Sequence, residues 1–167
     1  GGDAPLVAMA CHDGTIKVLD PAEERVVRTF KYGKHKAMNH VVCHVRKGTS
    51  GRSCDRSGTV GITASCADGH LYNWSWEEPE NPTSVQSNSD IIDMSFAPSE
   101  HTLITAHSDK SIAIWQVHPS LQEISRSRPG GKNAQVFSQV ASLQLPHPYG
   151  LSCAAISSKD FRLFVVS

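Results

Sequence analysis

Short apolar runs separated by tight polar turns recur along the chain. In the stretch 102–116, Ile112 and Ile114 alternate with Ala113 and Trp115 after a polar turn. Successive side chains of a strand point to opposite faces of a sheet, so this pattern predicts two strands joined by a turn, with both faces largely apolar. Such a strand pair is typical of a small sheet that is covered on both sides.

The same plan occurs twice more, in the stretches 6–20 and 60–74. The three turns carry Asp13, Asp68 and Asp109, which are 55 and 41 residues apart. A step of about 40 to 45 residues is the length of one four-stranded propeller blade. The longer step therefore predicts an insertion of about a dozen residues. The stretch 46–58 is rich in Gly, Ser and Arg and has no apolar periodicity, so we predict that it is this insertion.

An Asp in the turn followed six residues later by Trp, as in Asp109 and Trp115, resembles the WD-repeat family of β-propellers. The resemblance implies an all-β fold, a β-propeller of WD-repeat type with about three to four blades present in an incomplete ring. The chain 1–167 is then a portion of a single propeller. Its blade units are predicted at about 6–30, 38–86, 90–145 and, incompletely, 150–167, with insert loops at 46–58 and 118–135.

The family resemblance also implies a buried hydrogen-bonded network of His, Ser/Thr, Asp and Trp in each blade. Ser87 or Asn88 stands where the last complete blade would have its His, and none of the three repeats ends in Trp-Asp. The positions that match the family pattern are Asp13, Asp68, Trp74, Thr105, Asp109 and Trp115.

Propeller blades bury their faces against neighbouring blades, so a partial set leaves apolar sheet faces open to water. Open apolar faces of this kind promote association. We therefore expect the sequence to be a portion of a longer propeller or to be completed by another chain.

Overall composition favours no charged ligand. Sixteen Lys and Arg balance sixteen Asp and Glu, so the formal net charge is zero and no bulk field attracts nucleic acid or a membrane surface. Four of the five cysteines, Cys11, Cys43, Cys66 and Cys153, lie in apolar, strand-like runs. They favour free buried thiols in a reducing compartment, hence an intracellular protein of the cytoplasm, the nucleus or a cilium.

No residue pattern predicts catalysis or a cofactor. Cys11, Cys66 and His107 each lie two positions before a turn Asp, which suggests a metal site. Equivalent positions on packed sheets are about 10 Å apart, however, whereas zinc ligands lie about 2.0 to 2.3 Å from the metal. Core packing is the better interpretation, and we expect no metal, no small-molecule substrate and no enzymatic activity.

The two insert loops are basic, and we expect them on one rim beside the acidic stretch 77–80. One interpretation is an interaction surface for an acidic protein segment or for RNA phosphates; the other is a pair of solvated, variable loops. Neither loop has an aromatic residue on which single-stranded RNA bases could stack. The candidate interaction residues are Arg46, Lys47, Arg52, Arg56, Arg126, Arg128 and Lys132.

The function that the family resemblance implies is a non-enzymatic scaffold, a WD-repeat subunit of a larger multiprotein assembly. Its partners would be other protein subunits, including whatever completes the propeller, and no membrane. One alternative is an RNA-associated component of a ribosome-biogenesis or RNA-processing particle. Another is a ciliary or cytoskeletal scaffold.

Overall fold

The structure is a computed structural model. It describes residues 6–33, 36–46, 59–76, 78–97, 101–117, 136–146, 153–156 and 163–166. The described strands are β1 Val7–Ala10, β2 Thr15–Asp20, β3 Arg25–Lys31, β4 Met38–Arg46, β5 Thr59–Cys66, β6 His70–Ser75, β7 Thr83–Gln86, β8 Ile91–Ala97, β9 Thr102–His107, β10 Ser111–Val117, β11 Phe137–Gln144, β12 Cys153–Ile156 and β13 Leu163–Val166.

The strands form four sheets, with the orders β1-β2-β3, β4-β5-β6-β7, β8-β9-β10-β11 and β12-β13. Every strand pair whose register is defined is antiparallel. The described residues contain no helix, and so none that is long and apolar enough to cross a membrane. The predicted all-β architecture is confirmed. By compactness the chain divides into two units, residues 1–82 and 83–167.

The three repeated turns share one backbone geometry. Gly14 and Gly69 follow the turn aspartates with φ of 83° and 80°, and Lys110 takes the same place with φ of 69°. Their amides donate to the carbonyls three residues earlier, at 3.2, 3.0 and 3.1 Å respectively. Left-handed φ is easy for glycine and strained for Lys, so the third turn keeps its shape without the residue that best suits it.

The core of the first unit lies between the sheet β1–β3 and the sheet that begins with β4. Ile16 and Val18 point into it from β2 and are 0% and 3% exposed, and Phe30 and Ile62 are fully buried. The segment before β4 connects the two sheets, because the amide of Met38 donates to the Cys11 carbonyl at 3.0 Å.

In the second unit, both faces of β9 are buried. Ile104 and Ala106 pack with Ile112 in a small apolar cluster. Thr105 and His107 lie on the alternate face and are 0% and 3% exposed. The predicted strand pair of this region therefore exists, but one of its faces contains buried polar side chains.

The insert loops lie largely outside the described residues. Strand β4 ends at Arg46, and residues 47–58 and 118–135 are not described. The described parts of the first three sheets extend over Val7–Lys31, Met38–Gln86 and Ile91–Gln144. Which of these form complete blades stays a prediction.

Candidate functional site

Each turn aspartate hydrogen-bonds to the residue two positions later. Asp13 accepts from the amide and the hydroxyl of Thr15 at 3.0 and 2.6 Å. Asp109 accepts from the amide and the hydroxyl of Ser111 at 2.9 and 2.6 Å. The hydroxyl donors chiefly lower the pKa of each of these two carboxyls below its usual value. Both side chains thus fix the turn locally.

Asp68 fixes its turn differently, because the side chains of Tyr72 and Cys66 also donate to it. Burial by itself would raise the pKa of this carboxyl, but hydrogen bonds from Tyr72, Cys66 and the His70 amide lower it overall. The Tyr72 hydroxyl donates to Asp68 at 2.9 Å, and the His70 amide donates at 3.1 Å. The tyrosine is fully buried. Asp68 therefore connects its turn to the core of its sheet.

A buried chain of hydrogen bonds starts at Trp115 in the second unit. The indole N–H donates to Thr105 Oγ1 at 2.9 Å, and Thr105 Oγ1 lies 2.7 Å from His107 Nε2. His107 Nδ1 lies 3.1 Å from Ser87 Oγ and 3.2 Å from the Ser89 carbonyl oxygen. Ser87 in turn donates to that carbonyl at 2.7 Å. The chain thus connects β10 to β9 and to the segment before β8.

The two ends of this chain determine the direction of the hydrogen bonds that they make. An indole N–H can only donate, so the Thr105 oxygen accepts from Trp115, and the Thr105 hydroxyl is free to donate its proton to His107 Nε2. A carbonyl can only accept, so the proton of the imidazole lies on Nδ1, facing Ser87 and Ser89. We assign a proton to His107 Nδ1 on this basis.

Trp74 occupies the equivalent place in the sheet β4–β7 and has a different partner. Its indole donates to the Lys31 carbonyl at 3.3 Å, because the position that matches Thr105 is Ala64, which has no hydroxyl. Its ring lies among other aromatics, with centroids 6.3 Å from Phe30 and 5.8 Å from Tyr72.

The first sheet has neither tryptophan nor threonine at these places, but Leu19 and Met9. Val7, Leu19 and Val26 are cross-strand partners and form an apolar row across β1, β2 and β3. Leu19 alternates with Ile16 and Val18, so the row lies on the face opposite to the core. Val7 and Val26 are 46% and 45% exposed. We call Val7, Leu19 and Val26 the apolar row.

A short acidic stretch contacts the outer edge of β3. The carbonyl of Pro79 accepts from the Lys31 amide at 3.2 Å. The guanidinium of Arg28 lies over Trp76, with its central carbon 5.2 Å from the ring centroid. Glu78 and Glu80 are exposed, and Glu77 lies outside the described residues.

The structure thus separates the six predicted network residues into groups. It joins Thr105 to Trp115, keeps Asp13 and Asp109 within their turns, and gives Asp68 and Trp74 contacts in their own sheet. Of the predicted interaction residues, Arg46 ends β4, and the other six lie outside the described residues.

Sequence reasoning does not find the hydrogen-bonding role of His107, because it weighs a metal site against core packing there and favours core packing. Its position in a strand, two residues after Thr105 and on the same face, was the available signal. The sequence identifies Ser87 only as one of two residues, with Asn88, that stand where the family pattern has a His. Among the described residues, no three His, Cys, Asp or Glu side chains are grouped to hold a metal.

The described cysteines differ from expectation in exposure. Cys66 is buried, Cys11 is half-buried and Cys43 is exposed, and all three are free thiols. The prediction of buried thiols is therefore wrong for Cys43, whose side chain is exposed. Cys153 lies in β12.

The fold is similar to that of known structures, although no protein-family model and no curated protein matches the sequence. A structure of BBS1N in complex with ARL6DN is 14% identical with a TM-score of 0.62, over 97% of this chain and 41% of that chain. A structure of the mitotic checkpoint complex is 14% identical with a TM-score of 0.60, over 97% of this chain and 42% of that chain.

This chain spans less than half the length of each of these two chains. At this identity the similarity establishes the fold alone. The expected fold is confirmed: the described residues are all-β and have the β-propeller fold of these structures.

Proposed function

We propose that this chain is a non-enzymatic protein-interaction scaffold of WD-repeat type that acts within a larger intracellular assembly. The observation that carries the proposal is the apolar row on the sheet β1–β3, which leaves Val7 and Val26 nearly half exposed. A sheet face with adjacent apolar side chains is stabilised when another protein surface covers it.

The relation to WD repeats is supported by two local features. Three turns place an Asp at the same position, and each Asp hydrogen-bonds within its turn. In the best-kept repeat a strand Trp donates to a strand Thr at 2.9 Å. Both features match the pattern on which the family resemblance rests.

The role as a scaffold is supported by the polar side chains that hydrogen-bond within the framework of the fold. The aspartates fix turns, and Thr105, His107 and Ser87 satisfy one another in the interior. Such a framework gives a rigid support for exposed surfaces. The two similar structures are of proteins in complexes, BBS1N with ARL6DN and the mitotic checkpoint complex, which agrees with a role in assembly.

The expected partner of the apolar row is a protein surface that continues the propeller, either from the same polypeptide or from another subunit. We expect the chain alone to self-associate or to bind an apolar dye through this row. Sedimentation velocity and dye fluorescence on the 167-residue chain measure both properties. The double variant V7K/V26K should reduce them, since both side chains are exposed and a charge there keeps the row in water.

A monodisperse monomer with a cooperative melt and no dye binding would overturn the proposal. A circular-dichroism spectrum equal to that of the wild type is the control for folding of V7K/V26K. The RNA-associated alternative depends on loop residues outside the described part of the chain, so no observation favours it here. Its own test is RNA binding as a function of salt, where a steep salt dependence would support it.

A further inference from the structure

A row of aromatic rings runs between the sheet β1–β3 and the sheet β4–β7. The ring centroids of Trp76 and Phe30 are 5.8 Å apart, and those of Phe30 and Trp74 are 6.3 Å apart. The ring of Tyr72 lies 5.8 Å from that of Trp74 and 4.5 Å from that of Tyr32. We call Trp76, Phe30, Trp74, Tyr72 and Tyr32 the aromatic row. Each ring is close enough to the next for direct aromatic contact.

The aromatic row has a buried middle and is open to water at Trp76. Phe30, Trp74 and Tyr72 are all fully buried, whereas Trp76 is only half-buried. Trp115, the remaining one of the three tryptophans, is 4% exposed. Trp76 is therefore the indole that an oxidising radical from solution meets first.

Opposite charges lie beside Trp76 and beside Tyr72. The guanidinium of Arg28 lies over Trp76, with its central carbon 5.2 Å from the ring centroid. Among the described residues, no carboxylate forms an ion pair with Arg28. The carboxylate of Asp68 instead accepts from the Tyr72 hydroxyl at 2.9 Å. A positive charge on Trp76 is repelled by the guanidinium, and one on Tyr72 is attracted by the carboxylate. The local field therefore favours movement of a positive charge from Trp76 to Tyr72.

The proton of the Tyr72 hydroxyl has a defined acceptor. Burial and the Asp68 carboxylate raise the pKa of Tyr72 above its ordinary value, so the phenol keeps its proton in the resting protein. A phenol that loses an electron becomes a strong acid, and the Asp68 carboxylate is already within hydrogen-bond reach. The indole N–H of Trp74 points at the Lys31 carbonyl, which is not a base. Trp74 can thus pass a positive charge on, whereas Tyr72 can give up its proton and retain the radical.

We propose that the aromatic row performs intramolecular electron transfer from Tyr72 to an oxidised Trp76, by way of Trp74. The oxidant is a one-electron oxidising radical from solution, which removes an electron from Trp76. In the transfer Trp76 regains an electron, Tyr72 loses one electron and its hydroxyl proton, and Asp68 receives that proton. Electrons, charge and atoms therefore balance. The product is a buried neutral phenoxyl radical beside a protonated carboxyl, and this activity does not depend on the scaffold role proposed above.

Pulse radiolysis of the full chain with azide radicals tests the proposal, because these radicals oxidise indole rings by one electron. The indole and phenoxyl radicals absorb at different wavelengths, so that both can be followed in the same experiment. We expect the indole radical to decay and the phenoxyl radical to form at one shared first-order rate. This rate should not change with protein concentration, since the transfer occurs within one molecule.

Three kinds of variant assign the steps. Tyr72→Phe should abolish the shared phase, because it removes the hydroxyl that supplies the proton. The matched controls Tyr32→Phe and Tyr149→Phe should keep the phase; Tyr149 lies outside the described residues. Asp68→Asn keeps an oxygen that accepts from the hydroxyl but is not a base, so it should slow the transfer at least about tenfold.

The proposal is overturned if the phenoxyl radical does not form, if its rate rises with protein concentration or if the phase survives in Tyr72→Phe. An Asp68→Asn variant with the wild-type rate also overturns it. Circular dichroism shows whether each variant is folded. The solvent isotope effect uses the unchanged protein and decides the proton step even if Asp68→Asn does not fold: an equal rate in heavy water contradicts proton transfer to Asp68. None of these measurements depends on association, so this proposal and the scaffold proposal fail separately.

Discussion

Two tryptophans occupy equivalent places in two sheets, and their surroundings differ. Trp115 donates to a side-chain hydroxyl and begins a buried polar chain through Thr105 and His107. Trp74 donates to a backbone carbonyl and lies among aromatic rings. One residue explains much of the difference, since Ala64 stands where the other sheet has Thr105. The same indole can therefore be satisfied by a network or by the backbone.

The two arrangements should respond differently to substitution. In the aromatic sheet, stability depends mostly on packed volume, because the polar atoms of Trp74 need only one acceptor. In the polar sheet, each buried group depends on the next one, so that removing a single hydroxyl leaves two partners unsatisfied.

The largest effect is expected for Trp74→Ala. The side chain is fully buried, so truncation removes ring contacts with Phe30 and Tyr72 and leaves a cavity. We expect a loss of about 3–5 kcal/mol in the free energy of unfolding. Urea unfolding followed by circular dichroism measures it. A loss below about 1 kcal/mol would show that packing around this ring is not the main stabilising feature of its sheet.

Thr105→Val tests the polar sheet with little change in volume. The substitution removes the hydroxyl that accepts from the Trp115 indole and is hydrogen-bonded to His107 Nε2, and both of these partners are buried. We expect a loss of about 1–3 kcal/mol. The control is Thr105→Ser, which keeps the hydroxyl and should lose less. Equal losses for the two variants in urea unfolding would contradict the hydrogen-bonded chain.

Tyr72→Phe tests a polar contact between the core of the aromatic sheet and its turn. The variant removes the hydroxyl that donates to Asp68 at 2.9 Å, while the other donors to that carboxyl remain. We expect a loss of about 1 kcal/mol at neutral pH. The control is Tyr32→Phe, which removes a hydroxyl from the neighbouring ring, whose centroid lies 4.5 Å from that of Tyr72, and leaves the Asp68 contact in place.

The same variant should alter the pH dependence of unfolding. The folded pKa of Asp68 lies below the ordinary value of 3.8, so its contribution to stability is present above that value. The contribution is lost as the pH falls through the lowered folded pKa. Tyr72→Phe removes one of the hydrogen bonds that lower the folded pKa, so the difference from wild type should shrink as the pH falls below 3.8. An equal difference at pH 7 and at low pH would contradict this account.

The smallest effect is expected for Asp109→Asn. The amide oxygen of Asn can still accept from the Ser111 amide and hydroxyl, so the turn keeps both hydrogen bonds. On this exposed turn we expect a change within about 0.5 kcal/mol. Asp109→Ala removes the acceptor and should cost more. If Asn were as destabilising as Ala in urea unfolding, the charge rather than the hydrogen bonds would hold the turn.

Sequence reasoning could find the turns and the strands of both sheets because these follow from local rules. An Asp before Gly14 or Gly69 predicts a tight turn, and alternation at Ile112 and Ile114 predicts a strand. It could not predict that Asp109 hydrogen-bonds within its own turn, because a carboxylate can also reach a neighbouring strand. The interatomic distances that decide between these two possibilities exist only in the folded chain.

The sequence by itself determined the repeat of strand, turn and strand, the place of the aspartates and the positions of Trp74 and Trp115. These depend on neighbours along the chain, where backbone geometry and alternation act. The tertiary structure alone decided that His107 joins Thr105 to Ser87 and that Trp74 bonds to Lys31. It also decided which edges and faces stay exposed. Those outcomes depend on contacts between residues far apart in sequence, where burial makes each polar group find the partner that packing brings near.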